Sequence, residues 1–132
     1  MTQAQDILAA LSAREPIDAP MALVAAHPDD ETIGAGASLR LFRNLLLVHV
    51  TDGAPRGAAT GATASDYARE RRRELARALA ASEADPALAE LSAPDQQASL
   101  DMAALASALA AHLARLRPVV VIAHAYEGGH PD

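Results

Sequence analysis

The chain has no cysteine, no tryptophan, one phenylalanine and two tyrosines. Without cysteine, disulfides, thiolate zinc sites and cysteine nucleophiles are excluded, so any metal must be held by nitrogen and oxygen. The shortage of aromatics leaves packing to Leu, Val and Ala and disfavours aromatic sugar platforms and base-stacking surfaces. Positive charge is also scarce. Lys plus Arg number 11 against 17 for Asp plus Glu, a formal net charge of -6, which argues against nucleic acid as a partner held by bulk charge. The basic cluster Arg69, Arg71, Arg72 and Arg73 alternates with Glu70 and Glu74 and reads as a solvated helix face. No apolar run approaches a membrane span, and the stretch from Thr2 to Arg14 lacks the basic start and apolar core of a signal sequence. A cytoplasmic protein without a membrane span is the expectation.

At 132 residues the chain fits one domain, yet is short for a complete α/β enzyme. We expect a single, incomplete domain over 1–132 in which 1–20 form an N-terminal helix and a connection. Ile7, Leu8 and Leu11 supply the stripe of that helix, and Pro16 to Pro20 lead out of it. Met21 to Ala26 is an apolar run of strand length. Pro28 suits the first turn of a helix and Asp29 to Glu31 its positive end, with Ile33 to Phe42 continuing it. Leu45 to Val50 reads as a second buried strand, which completes a βαβ unit and implies a parallel sheet.

Thr51 to Ala64, rich in Gly, Ala and Thr, reads as a mobile loop. Asp66 to Ala81 returns to helix with Tyr67, Leu75, Ala78 and Leu79 inward, and a weak strand is expected near Leu88 to Ser92. Asp101 caps a long helix carrying Met102, Leu105, Leu109, Leu113 and Leu116 on one face, ended by Pro118. Val119 to Ala123 is the clearest β-branched strand. In an open parallel sheet, ligands bind outside the carboxyl ends of the strands. His27 and its acidic neighbours, Asp52, and the stretch from His124 to Asp132 all fall there.

The run Ala26-His27-Pro28-Asp29-Asp30-Glu31 places an imidazole beside three carboxylates. A catalytic zinc takes three protein ligands and leaves a position for water. His27 and Asp30 are candidate ligands, and Asp29 a candidate base for the water. The competing reading is that Asp29 or Asp30 caps the helix while Glu31 complements its dipole. His124 suits a supporting role behind a ligand better than ligation. His49 reads as a packed or edge residue and His112 as a surface one. Asp52 either contacts substrate or simply forms an Asp-Gly turn.

Ala-His-Pro-Asp-Asp-Glu at 26–31, Val-Thr-Asp-Gly at 50–53, Arg-Arg-Glu-Leu at 72–75, Ala-Pro-Asp-Gln at 93–96 and Tyr-Glu-Gly-Gly-His-Pro-Asp at 126–132 together resemble the PIG-L or LmbE-like N-acetylglucosaminyl deacetylases. The resemblance spans 21–132. It implies a Rossmann-like three-layer α/β/α fold with a mainly parallel sheet and an incomplete C-terminal part. It also implies hydrolysis of an N-acetyl group from an amino sugar conjugate, dependent on Zn2+ or another divalent metal. By that resemblance His27 and Asp30 bind the metal, and Asp29 activates water. His130 stabilises the intermediate or protonates the leaving amine, Asp132 orients His130, and Tyr126 helps to hold the oxyanion. The family's closing motif is His-Pro-Asp-His, whose final histidine is the third ligand. This chain stops at Asp132, so a truncated form is expected.

Two further readings stay open. One is a Rossmann-like module that binds a sugar or nucleotide without chemistry. Gly34 and Gly36 do not form G-x-G-x-x-G and suit close helix-to-sheet packing better. The other is a metallophosphatase, since clustered carboxylates also hold paired metals. The expected partner is a small-molecule amino sugar conjugate, with homo-oligomerisation left open.

Overall fold

The apolar runs Met21–Ala25 (β1) and Leu45–Pro55 (β2) pair in parallel at the centre of a computed structural model that describes residues 3–56, 63–125 and 129–132. Ala87–Asp95 (β3) joins the far side of β2, and Val120–Ala123 (β4) joins the far side of β1, both in parallel. The strand order is therefore β3-β2-β1-β4. The chain steps outward from β1 to β3 and then returns across β1, so the direction of winding reverses between β1 and β4. That reversal opens a crevice at the carboxyl edge of the sheet.

The helices are Gln3–Ala13 (α1), Asp30–Ala35 (α2), Ala64–Ala81 (α3) and Met102–Leu116 (α4). On one face of the sheet, Met21, Leu23, Leu45 and Leu47 pack with Ile7 of α1 and Leu75 and Leu79 of α3. On the other, Leu46, Val48 and Ala89 lie under Leu109 and Leu116 of α4. Strands covered on both faces must be apolar at successive positions, which is why β1 and the first half of β2 read as unbroken runs. The result is three layers, α/β/α, with an all-parallel sheet among the described residues. No helix of the described residues is long and apolar enough to cross a membrane.

Several elements depart from the sequence expectations for identifiable reasons. The helix expected to run on to Phe42 stops at Ala35. Gly34 and Gly36 weaken it, and the chain tightens into a 3-10 turn, Leu39–Leu41, that drives Leu39 and Phe42 into the core. Gly34 does not pack against the sheet, because a Cβ there would meet nothing within 4 Å. Strand β2 runs to Pro55 and takes in the first residues of the expected loop, while 57–62 lie outside the described residues. Strand β3 is longer than its weak apolar pattern suggests because β2 supplies its partners from Ala87 to Asp95. Asp101 makes no capping hydrogen bond, and Met102 and Tyr67 are exposed rather than inward. Helix α3 starts as its sequence dictates: the Thr63 hydroxyl accepts from the Asp66 amide at 3.1 Å, a Thr-x-x-Asp variant of the capping box.

Glu31 and His49 are both 1% exposed, and His49 Nε2 lies 2.8 Å from Glu31 Oε2. The Thr32 hydroxyl donates to the other carboxylate oxygen at 2.7 Å. The Glu31–His49 contact pins the first turn of α2 to the middle of β2. Burial pushes the Glu31 carboxyl up, but the hydrogen bonds from His49, Thr32 and its own backbone hold it below the ordinary value of 4.5. Its stabilisation is therefore present above that value and lost as pH falls through the lower folded one. His49→Leu, which strands a buried carboxylate, is expected to cost about 3–5 kcal/mol in urea unfolding. Acid unfolding should begin at higher pH in the variant than in the parent. A loss under about 1 kcal/mol would show that the pair carries no more than an exposed one.

Candidate metal centre

The parallel sheet brings the ends of its strands to one edge, and the residues there are His27 after β1, Asp95 at the end of β3 and His124 after β4. The closing segment, His130 to Asp132, folds back over them. His27, Asp95, His130 and Asp132 offer ligand atoms that all lie within 4.8 Å of one another. His27, Asp95 and His130 border an open cleft of about 430 Å³ lined also by Asp29, Asp30, Ile33, Gly53, Tyr67 and Arg71.

The two nitrogens of His27 face different groups. Nδ1 lies 3.4 Å from Asp30 Oδ2, while Nε2 lies 3.1 Å from Asp132 Oδ2 and 3.2 Å from Asp95 Oδ1. The His27 amide donates to Asp30 Oδ2 at 2.8 Å, so Asp30 closes the turn behind the imidazole rather than capping α2. His124 Nε2 accepts from the Ala26 amide at 3.2 Å and sits 3.2 Å from the same Asp30 oxygen. Asp29, at the N-cap position, makes no capping hydrogen bond either. Its carboxylate takes Arg71 Nη2 at 2.7 Å, and Arg71 Nη2 also donates to the Pro28 carbonyl at 3.0 Å. The capping alternative for this acidic pair is thus not the arrangement adopted.

The Asp132 side chain is 0% exposed and accepts from the backbone amides of Gln96 at 2.6 Å and Ala98 at 2.8 Å. Burial pushes this carboxyl up, but those amides and His27 hold it below the ordinary aspartate value. Its contact with His130 is looser: the Asp132 amide donates to His130 Nδ1 at 3.3 Å, and the carboxylate lies 3.8 Å from that nitrogen. The His27 and His130 rings meet edge to face with centroids 4.7 Å apart. Asp95 Oδ1 is buried and receives no hydrogen bond. An orphaned carboxylate oxygen beside two imidazoles and a second carboxylate is a donor set that fits a divalent cation, with the nitrogen and oxygen chemistry that zinc accepts.

Of the residues singled out from sequence, His27, Asp29, Asp30, His130 and Asp132 converge on this cleft, whereas Tyr126 lies outside the described residues. Asp52 is engaged locally, accepting from the Ala54 amide at 2.9 Å and from Arg56 Nη2 at 2.7 Å, which is the turn-forming alternative. Sequence reasoning passed over Arg71 and Asp95 as site residues. Arg71 is four residues after Tyr67 and four before buried Leu75, so helical periodicity already placed it on the inward side of α3.

The sequence model of the PIG-L family, described as GlcNAc-PI de-N-acetylase, matches residues 22–132. The chain belongs to the PIG-L family. Among solved structures, the N,N'-diacetylchitobiose deacetylase of Pyrococcus horikoshii is similar in fold, with a TM-score of 0.62 at 17% identity over 92% of this chain and 49% of that one. The chain thus spans about half the length of that neighbour. No curated protein matches significantly.

In this PIG-L chain a side chain at Gly53 would be both strained and crowded. Its φ is +64°, and a Cβ would lie 2.9 Å from Pro28 Cδ and 3.3 Å from Arg71 Nε. Gly53→Ala is expected to cost at least about 1 kcal/mol from the left-handed backbone alone. It should also disturb the Arg71–Asp29 contact. Urea unfolding checks the first effect, and the chemical shift of the Arg71 guanidinium protons checks the second.

Proposed function

We propose that this PIG-L chain carries the catalytic edge of a metal-dependent amidohydrolase that removes the acetyl group from an N-acetylated amino sugar conjugate. The observation that supports it most is the convergence of His27, Asp95, His130 and Asp132 within 4.8 Å, with Asp29 lining the same cleft. A divalent ion, zinc by the nature of the donors, supplies Lewis acidity toward the amide carbonyl and the attacking water. His27 and Asp30 are the proposed ligands carried by the first loop.

Asp29 takes a proton from water as its oxygen bonds to the carbonyl carbon and the carbonyl electron pair moves onto oxygen. Arg71, whose Nη2 lies 2.7 Å from Asp29 Oδ2, holds that carboxylate in place. Collapse of the tetrahedral intermediate breaks the C–N bond, and His130 gives the departing nitrogen its proton. Acetate and a free amine result. We assign Asp132 to hold His130 and His27 in register, and Tyr126 to assist at the oxyanion.

The geometry favours one variation on the ligand set. His27 presents Nε2 to Asp95 and Asp132 and Nδ1 to Asp30, the pattern of a ligand imidazole steadied from behind by a carboxylate. The ion would then sit among His27, Asp95, His130 and Asp132. Zinc content separates the two arrangements. Asp30→Ala should lose the metal under the first, and Asp95→Ala under the second.

Acetate release from an N-acetylglucosamine conjugate, followed with the zinc-loaded protein, tests the activity itself. Phosphate release from a phosphate ester would instead support phosphatase chemistry. In Asp29→Asn, metal content should stay while turnover falls by about 10² to 10⁴. Unchanged turnover would remove Asp29 from the role of base.

A further inference from the structure

Helix α2 carries two residues of the cleft, with Asp29 at its N-cap position and Asp30 as its first residue. Little of it is held by apolar packing. It is six residues long and Asp29 makes no capping hydrogen bond. Ile33 is 81% exposed, a Cβ on Gly34 would meet nothing within 4 Å, and Ala35 offers the core only a methyl group. So short a helix does not persist in water by its own propensity. Among the described residues of α2, Glu31 alone is buried. Its carboxylate meets an imidazole in the sheet, His49 Nε2 at 2.8 Å.

His49 is carried on the most constrained part of the fold. Strand β2 is paired on both sides there, with Ala25 of β1 and Glu90 of β3 as the register partners of His49. An apolar contact would set the depth of α2 and leave its rotation soft, whereas a hydrogen bond is directional. Both oxygens of Glu31 are engaged, Oε2 by His49 and Oε1 by the Thr32 hydroxyl at 2.7 Å, so the plane of the carboxylate is fixed. Successive helical side chains leave the axis about 100° apart, and fixing Glu31 therefore fixes the direction of Asp30, whose Oδ2 accepts from the His27 amide at 2.8 Å. A side chain about 6 Å from the axis swings about 1 Å for each 10° of helix rotation. Misplacement on that scale costs about 10² in rate at a reacting centre.

Resting on the roles proposed for Asp29 and Asp30, we propose that His49 is a positioning residue: through Glu31 it sets the rotation of α2, and so the aim of Asp30 at the metal and of Asp29 at the water. This goes beyond the stability that the buried pair lends, because it makes the pair a determinant of metal affinity.

The double substitution Glu31→Leu/His49→Leu separates the two effects, since replacing both members of a buried hydrogen-bonded pair by apolar groups is often neutral for the fold. Its urea midpoint should stay near that of the parent. Its zinc dissociation constant, read by chelator competition, should rise about tenfold to a hundredfold, the usual effect of losing a partner that orients a metal ligand. In the metal-free protein, hydrogen exchange at the Thr32 and Ile33 amides, both bonded to the Asp29 carbonyl, should speed at least about tenfold relative to the amides of β1 and β2. Parent-like exchange in a folded double variant overturns the proposal, and so does parent-like zinc affinity. A parent that binds no zinc removes the metal from the proposed function on its own account, and the exchange rates alone then decide the positioning role. If the double variant does not fold, His49→Gln and His49→Leu take its place, because the glutamine amide can donate to Glu31 and leucine cannot. Parent-like values in His49→Gln, with faster exchange and weaker zinc binding in His49→Leu, support the proposal. Equal values in the two overturn it.

Discussion

Parallel pairing is the constraint from which the rest of this molecule follows. Because β1, β2, β3 and β4 all run the same way, their carboxyl ends share one edge. Residues as distant as His27, Asp95 and Asp132 therefore meet there. Parallel strands also need both faces covered, which forces helices onto each side and leaves the edge as the place where polar side chains gather without interrupting the core. The reversal between β1 and β4 puts His27 and His124 on either side of the crevice, and Asp30 touches both imidazoles.

The site is held by burial as much as by reach. Glu31 follows Asp30 in sequence yet points the other way, into the sheet, where His49 meets it. The same turn thus sends one carboxylate into the cleft and one into the core. Desolvation works against ionised Glu31, and the hydrogen bonds from His49 and Thr32 outweigh it. Gly53 meets Pro28 and Arg71 from the neighbouring strand end, so the loop that carries the acidic pair is fixed from two directions.

Strands β1 and β2 were legible in the sequence because buried parallel strands must be continuous apolar runs, β4 because of its β-branched run, and helix α3 from Asp66 onward because of the stripe that buries Leu75 and Leu79. Strand β3 was only faintly legible, since its extension to Asp95 comes from pairing with β2 rather than from its own pattern. That same shortfall hid Asp95, which becomes a site residue only once the strand is known to end there. Arg71 was hidden differently: among alternating charges its inward position is masked by the habit of arginines to face water. The break after Ala35 shows Gly34 and Gly36 prevailing over an apolar spacing that otherwise resembles helix.

Asp132 gives this edge a mechanical property. One carboxylate grips the amides of Gln96 and Ala98 in the turn after β3 and, through the same side chain, the Nε2 atom of His27 after β1. Those two segments sit on opposite sides of β2 in the sheet order and share no backbone pairing, yet neither can shift without pulling on the other. A displacement of the turn after β3 is therefore felt at the His27 imidazole through this one carboxylate.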